Sequence, residues 1–549
     1  MKMQFIHRFL FCTLLVLSPF IGQAQLLQGQ KEYTKADSLR GGVRPERTYY
    51  DVLKYDLYVD LDITDKYISG KNKITFKVIN DLSKIQVDLF KNMKVDSIVY
   101  NGQKLNYNRE YNAVFINFKA LLRKGQTASI DFYYSGHPIV AKNPPWDGGF
   151  IFTKDENGKD WVSVAVQGTG ASLWYPNKDT QADEPEEAEI HITVPEDVKA
   201  IANGRLVVKR VLGNGKNEWT WRVKNPINNY NLTFNVGDYA HFSDRYEDVD
   251  LDYYVLPYNL EKAKEHFKEV KPMLACFSEK FGDYPFKEDS YKLIETPYLG
   301  MEHQSGVGYG NHYEKGYLGK DRSQTGIGLK WDFIIIHESG HEWFGNSITA
   351  ADIADMWIHE AFTTYAEAVY IECRWGYEDA LKYLLGTRKT VVANDHPIIG
   401  DYGLNNEGSG DMYSKGANIL HTIRSIIDND KKWWRLLKSF HETYKHQIIN
   451  SQDAITFFTA HSQLPLQPIF DQYLRYTRLP ELELRNENGE TQYRWKADLS
   501  NFAMPVNVVI SGQKKRLYPT TKWQNLNKKT DLSAIEVDTD NFYITVNKL

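Results

Sequence analysis

The tightest constraint on how this chain folds is the run Trp331-Asp332-Phe333-Ile334-Ile335-Ile336, followed at once by His337-Glu338-Ser339-Gly340-His341. On a helix, histidines at i and i+4 leave from one face, so His337 and His341 reach a single metal ion while Glu338 stands beside it to handle a proton. That is the pattern of a zinc hydrolase. Catalytic zinc takes three protein ligands and keeps a further position for water, which calls for a third ligand from another segment. Glu360 is the candidate, nineteen positions after His341. It falls in a second helix that Asp355 is placed to cap and Gly376 to end. Two histidines and one glutamate leave the site near neutral, so one zinc ion per chain would remain a strong Lewis acid there.

The flanking sequence has three regimes. From Tyr49 to about Phe242 the apolar period is mostly two: Leu53, Tyr55, Leu57, Val59 and Leu61 alternate with polar neighbours, as do Ile74, Phe76 and Val78. Turn pairs Asn101-Gly102 and Asn203-Gly204 punctuate it, which predicts an antiparallel β domain over residues 45–242. From about Asn259 the period becomes helical, with Phe267, Val270, Leu274, Phe277 and Phe281 on one face before Gly282. Residues 243–477 therefore read as a mostly helical domain that carries the histidine pair. Short strands return in residues 478–549, with an Asn488-Gly489 hairpin signal and the run Val506 to Ile510, which predicts a small C-terminal β-sandwich. The expected class is multidomain α+β.

At 549 residues the chain is too long for one core, and its 42% hydrophobic and 25% charged residues are those of an ordinary folded protein. Residues 1–24 read as a secretory signal: Lys2 and Arg8 are the positive end, Phe9 to Ile21 the apolar core, and Gly22-Gln23-Ala24 the cleavage site. The expectation is an exported protein, periplasmic or extracellular, whose residues 25–44 form a flexible leader. Removing Lys2 and Arg8 and no acid takes the formal charge from −5 to −7. No basic patch suits nucleic acid, and no later stretch is long enough to span a bilayer. Cys12 leaves with the signal, so Cys276 and Cys373 permit at most one disulfide, and the sequence leaves open whether they meet.

Several further segments make a resemblance specific. Gly300-Met301-Glu302-His303 resembles a GxMEN motif, and Asp411-Met412-Tyr413-Ser414-Lys415-Gly416 stands where a catalytic tyrosine is expected. Phe281-Gly282-Asp283-Tyr284-Pro285-Phe286 and Trp174-Tyr175-Pro176-Asn177-Lys178-Asp179 add to it. With the histidine pair and the Glu360 helix, these segments resemble the zinc aminopeptidase family that includes aminopeptidase N, a branch of the gluzincins, over roughly residues 50–480. The resemblance implies a thermolysin-like catalytic domain, Glu338 as general base and then acid, and Tyr413 as the donor to the oxyanion. It also implies that Glu302 binds the free α-ammonium of a peptide, with Gln167 as a second amine contact, and that Glu367 holds a ligand histidine through its other nitrogen. Gly300 and Met301 belong to the same substrate-binding segment, where a glycine lets a peptide backbone pass close to the wall. If Glu302 anchors the amine beside the metal, only the first peptide bond lies over it, and cleavage removes one residue at a time.

Three positions depart from the family pattern: His303 and His359 stand for Asn, and Ala361 for Gly. His359 is about 100° around the helix from Glu360 and should not compete for the metal. Three alternatives stay open at this level: a catalytically dead peptide binder, an epoxide-hydrolysing relative on the same zinc, and an endopeptidase that would not need Glu302. The oligomeric state and the preferred first residue are not legible.

Overall fold

A computed structural model describes residues 32–526 and 529–549. The expected signal segment lies outside the described residues.

The first apolar core belongs to a β domain. Strands β1 (Tyr50–Asp62), β2 (Tyr67–Val78), β3 (Met93–Tyr100), β4 (Thr127–Gly136), β5 (Glu187–Pro195), β6 (Arg205–Val211) and β7 (Lys216–Val223) form a sheet in the order β6-β7-β5-β1-β2-β4-β3, extended at the β3 edge by Gln103–Lys104. Along β1 the alternation places Tyr55, Leu57, Val59 and Leu61 in the core, as period two requires. Pairing is antiparallel except between β1 and β5, which run parallel with Leu57 opposite Ile190. The expected antiparallel β domain is met apart from this one pair, where about 120 residues of chain separate the strands and a long crossover permits either direction. A four-stranded and a three-stranded sheet complete the domain.

Residues 32–44 are not the expected structureless leader. Thr34 and Asp37 form a capping box on helix α1 (Lys35–Gly41), so a short polar segment is helical without any apolar period to announce it. The expected boundary at 242/243 also moves. It falls inside β8 (Ala240–Tyr246), which pairs with β9 (Val249–Val255). These two strands join β10 (Tyr291–Glu295), β11 (Gly300–Met301) and β12 (Val307–Tyr309) in a second sheet, ordered β8-β9-β10-β12-β11.

That sheet packs against the helices. α2 (Val270–Phe281) buries Val270, Leu274, Phe277 and Phe281, and Gly282 ends it at φ +103°; Phe267 lies just before it in a 3₁₀ turn. α3 (Phe333–Gly340) carries His337 and is buried along its whole length. α4 (Trp357–Trp375) carries Glu360 and stops at Gly376 as expected. Asp355 does not cap it: its carboxylate accepts from Tyr402 Oη at 2.7 Å and from the Ser451 backbone N–H at 3.2 Å, so it ties neighbouring loops instead. The two helices cross where a Cβ on Gly340 would lie 3.1 Å from Thr363 Cγ2, a closeness that only a glycine tolerates easily. Helices α5 (Tyr377–Thr390) and α6 (Ser414–Ile427) flank α4. At the C-terminal end the Asn488-Gly489 pair, with φ of +52° and +80°, turns Glu481–Glu487 back onto Glu490–Lys496. Two small sheets there share an apolar core with the helices. Among the described residues no helix is long and apolar enough to cross a membrane.

Cys276 of α2 and Cys373 of α4 are bonded, 97 positions apart in sequence and with Cα atoms 6.1 Å apart. Cys373→Ser is expected to lower the unfolding free energy by about 2–5 kcal/mol, as for disulfides that close long loops. Denaturant titration of both proteins under oxidising conditions, with non-reducing peptide mapping, checks this, and equal stability would remove the bond from the fold.

Candidate active site

The site begins at the start of α3. Asp332 caps the helix by accepting the Ile335 N–H at 3.1 Å, and it also accepts from the Tyr309 hydroxyl at 2.8 Å and meets His266 Nε2 at 2.7 Å. One buried carboxylate thereby ties α3 to the second sheet. At its other end α3 gives way to an irregular turn, Glu342–Asn346, with Phe344 and Gly345 outside helical φ/ψ. Gly345 sits at φ +125°, a left-handed value that suits glycine. The break turns the Phe344 carbonyl toward His341, whose Nδ1 lies 3.0 Å from it.

His337 Nδ1 lies 2.7 Å from Glu367 Oε1, and Tyr383 Oη donates to the other oxygen of Glu367 at 2.7 Å. With both Nδ1 atoms used as donors, the two Nε2 lone pairs are left to face inward. Glu360 Oε2 lies 3.6 Å from His337 Nε2 and 3.5 Å from His341 Nε2, and it is buried with no hydrogen-bond partner. Tetrahedral zinc with ligand bonds of roughly 2.1 Å separates two ligand atoms by about 3.4 Å. An orphaned carboxylate oxygen and two imidazole nitrogens at that spacing fit a zinc ion. The three ligand atoms lie within 4.8 Å of one another, and a second such group, Glu302, Glu338 and His341, overlaps the first.

Glu338 projects into the same cleft. Burial pushes its carboxyl up to about 7; His337 and His341 pull against this, and Glu302 adds repulsion. Gly300 of β11 faces it: a Cβ there would lie 2.8 Å from Ile334 Cγ2 and 3.0 Å from Glu338 Oε1, so any larger residue would push into the base. Met301 is buried and belongs to the apolar cluster of the N-terminal β domain. Glu302 follows, and its carboxylate accepts a hydrogen bond from Gln167 Nε2 on a loop of that domain. Asn346 Nδ2 fixes the Glu302 carbonyl at 2.8 Å and is itself bonded through Oδ1 to Asn231. Tyr413 stands at the N-terminus of α6 with its ring centroid 6.1 Å from that of His337. Burial, then the Glu360 and Glu302 carboxylates, raise its phenol well above the ordinary value, so it keeps its proton as a donor.

Of the ten residues singled out from the sequence, nine are thus brought together, and the tenth, Met301, is a core contact beside them. The departures from the family pattern find different answers. His359 Nε2 accepts the Ala350 N–H at 2.8 Å, so that nitrogen is engaged by the backbone, and burial, with His341 adding repulsion, holds the ring neutral at about 3. His303 is fully buried and likewise held neutral. The methyl of Ala361 is accommodated because residue 416 is glycine: a Cβ there would come within 2.5 Å of it. Sequence reasoning missed Tyr383, Asn346 and the buried Glu342, which accepts from Tyr284 Oη at 2.8 Å and the Ser305 N–H at 3.0 Å. For Glu342 the adjacency to His341 in an apolar segment was the only signal.

Comparison with known proteins points the same way. Among curated relatives, Tricorn protease-interacting factor F2 of Thermoplasma acidophilum is 21% identical over 508 residues, 89% of this chain and 62% of the relative. Probable aminopeptidase 1 of Sulfurisphaera tokodaii is 20% identical over 507 residues, with the same shares. The chain therefore spans less than two thirds of the length of these relatives. Among solved structures, an M1 zinc metallopeptidase mutant from Deinococcus radiodurans, bound to a Tyr-Ser-Ala substrate, superposes with a TM-score of 0.64 at 21% identity, covering 79% of this chain and 96% of that one; this likeness concerns the fold. Residues 51–230 match the Peptidase M1 N-terminal domain and residues 265–473 the Peptidase family M1 domain, and the chain belongs to peptidase family M1.

Proposed function

We propose that the protein is a zinc-dependent aminopeptidase that removes the N-terminal residue from peptides, with one zinc per chain. The observation that carries this is the position of Glu302, which shares a ligand-sized group with Glu338 and His341 and is held there by Gln167 of the other domain. A carboxylate in that place recognises an ammonium by a charge-assisted hydrogen bond and fixes its distance. The end of a peptide anchored on Glu302 lays its first amide beside Glu338, and an internal segment of chain has no charge to offer.

His337, His341 and Glu360 would hold the metal, which when bound polarises a carbonyl and lowers the pKa of a water. Glu338 takes the proton from the attacking water and hands it to the leaving amine, a shuttle that suits a carboxyl group titrating near neutrality. Tyr413 donates its hydroxyl hydrogen to the oxygen on which negative charge develops, and a preorganised donor there needs no rearrangement as the charge forms. Glu367 keeps His337 in the tautomer that presents Nε2.

We read residues 1–24 as an export signal. The Cys276–Cys373 bond supports an oxidising destination, because disulfides persist there and are rare in reducing compartments.

Glu338→Gln is expected to retain zinc while losing about 10²–10⁴ in kcat, and Tyr413→Phe to lose roughly 10²–10³; aminoacyl chromogenic substrates with parallel metal analysis check both, and activity kept by the first variant removes the proposed base. Glu367→Ala should weaken zinc affinity by about 10–100-fold, read by competition with a chelator. N-acetylated peptides should resist cleavage where the free amines are cut. Equal rates on the two would overturn the aminopeptidase reading.

A further inference from the structure

The segment before β1 makes contacts that the metal chemistry does not require. Arg44 and Arg47 root it in the N-terminal β domain. Arg44 Nη2 donates to Gln86 Oε1 at 2.6 Å, and Arg47, almost fully buried, pairs with Asp88 and donates to the Asp179 carbonyl at 3.0 Å. Arg47 also donates to the Arg40 carbonyl, which fixes the end of α1. From that footing the segment reaches in two directions.

One contact goes to the loop that holds Gln167. Arg40 Nη2 donates to the Gly168 carbonyl at 3.1 Å. The loop has no slack there: a Cβ on Gly170 would lie 2.4 Å from Arg40 Nη2 and 2.4 Å from Asp179 Oδ2. The other contact goes to the loop that leads into Tyr413. Gly41 lies so close to it that a Cβ would be 2.5 Å from the Asn405 nitrogen and 2.7 Å from the Leu404 nitrogen. Tyr33 bonds through its hydroxyl to Asp401 and Asn406 of the same loop. A cavity of about 360 Å³ is lined by Arg40, Gly41, Gly42, Gln167, Tyr230 and Asn405 among others, and it meets the cleft through Gln167.

We propose that residues 33–47 are a clasp that sets the spacing between the Gln167 loop and the loop leading into Tyr413, and thereby which first side chains the cleft accepts, with Arg40 and Gly41 as its positioning residues. The proposal rests on the aminopeptidase reading of the same cleft. The clasp spans the two domains by hydrogen bonds and backbone packing at the level of the Gln167 loop, so shifting either end changes the gap between Gln167 and the approach to Tyr413. Arg40 touches no reacting atom; it acts through the carbonyl of Gly168, one residue after the amide that meets Glu302.

The test uses the full mature chain loaded with zinc. Arg40→Ala removes the bond to the Gly168 carbonyl, Arg40→Lys restores a donor of similar reach, and Gly41→Val wedges the clasp off the 403–405 backbone. Arg40→Ala should raise KM roughly 5- to 10-fold, the effect of losing one such hydrogen bond, with kcat little changed. Gly41→Val should reorder the preference among large and small first residues, and Arg40→Lys should recover most of the wild-type KM. Amide hydrogen exchange gives a reading that needs no turnover. Both disruptive variants should speed exchange in residues 163–172 and 398–413 while α3 and α4 stay protected. Unchanged exchange in those two segments, or a fall in kcat with the ranking of first residues intact, would overturn the clasp. If the wild-type enzyme cuts no aminoacyl substrate, the aminopeptidase reading fails, and exchange alone then decides whether the clasp holds the loops.

Discussion

The cleft depends on keeping three carboxylates close together and out of water. Glu302, Glu338 and Glu360 are each buried to 9% exposure or less, and each lies in one of two overlapping groups built on His341. Two like charges about 4 Å apart repel by roughly 4 kcal/mol at the effective dielectric of a protein site. Such an arrangement persists only where protons or cations offset it. Each carboxylate has its own solution: Glu360 faces two imidazole nitrogens, Glu302 takes an amide hydrogen from Gln167, and Glu338 is displaced toward its neutral form. The two groups of carboxylates and imidazoles overlap at His341, so a positive charge placed in either would relieve the repulsion in both.

The scaffold holds this crowding by a few specific ties. Asp332 joins β12 to the first turn of α3 through Tyr309, while the irregular turn after α3 frees a carbonyl for His341. Glu367 and Tyr383 hold His337 from behind. The two helices that carry the ligands meet at a glycine, and a disulfide fixes the far end of α4 to α2. The result is a site whose ligands have little freedom to collapse onto one another.

What was legible in the sequence follows from how local each signal is. His337 and His341 are related by helical geometry alone, and Glu360 by the next helix along, so spacing sufficed for them. Gln167 lies 135 residues from Glu302 on another domain, and only its likeness to a known family segment drew attention to it. Asp355 was misread because its position before a helix is a capping position, whereas its carboxylate is used by Ser451, 96 residues away. The leader was misread for a related reason. Its anchors are arginines donating to main-chain carbonyls of Gly168 and Asp179, and carbonyls are present at every residue, so no side-chain pattern marks the target. The boundary placed at 242/243 failed because β8 alternates like the strands before it, and its membership of the second sheet is decided by its partner β9.

One consequence lies in the hydrogen bond between Gln167 and Glu302. Its donor sits on a loop of the N-terminal β domain and its acceptor follows a strand of the second sheet, 135 residues away, so the contact forms only where those two parts of the chain seat against each other. The ligand-bearing helices α3 and α4, by contrast, share a single apolar cluster. On the aminopeptidase reading proposed above, the distinction between trimming a peptide and cutting it anywhere is stored in a domain joint whose carboxylate lies within 4.8 Å of His341.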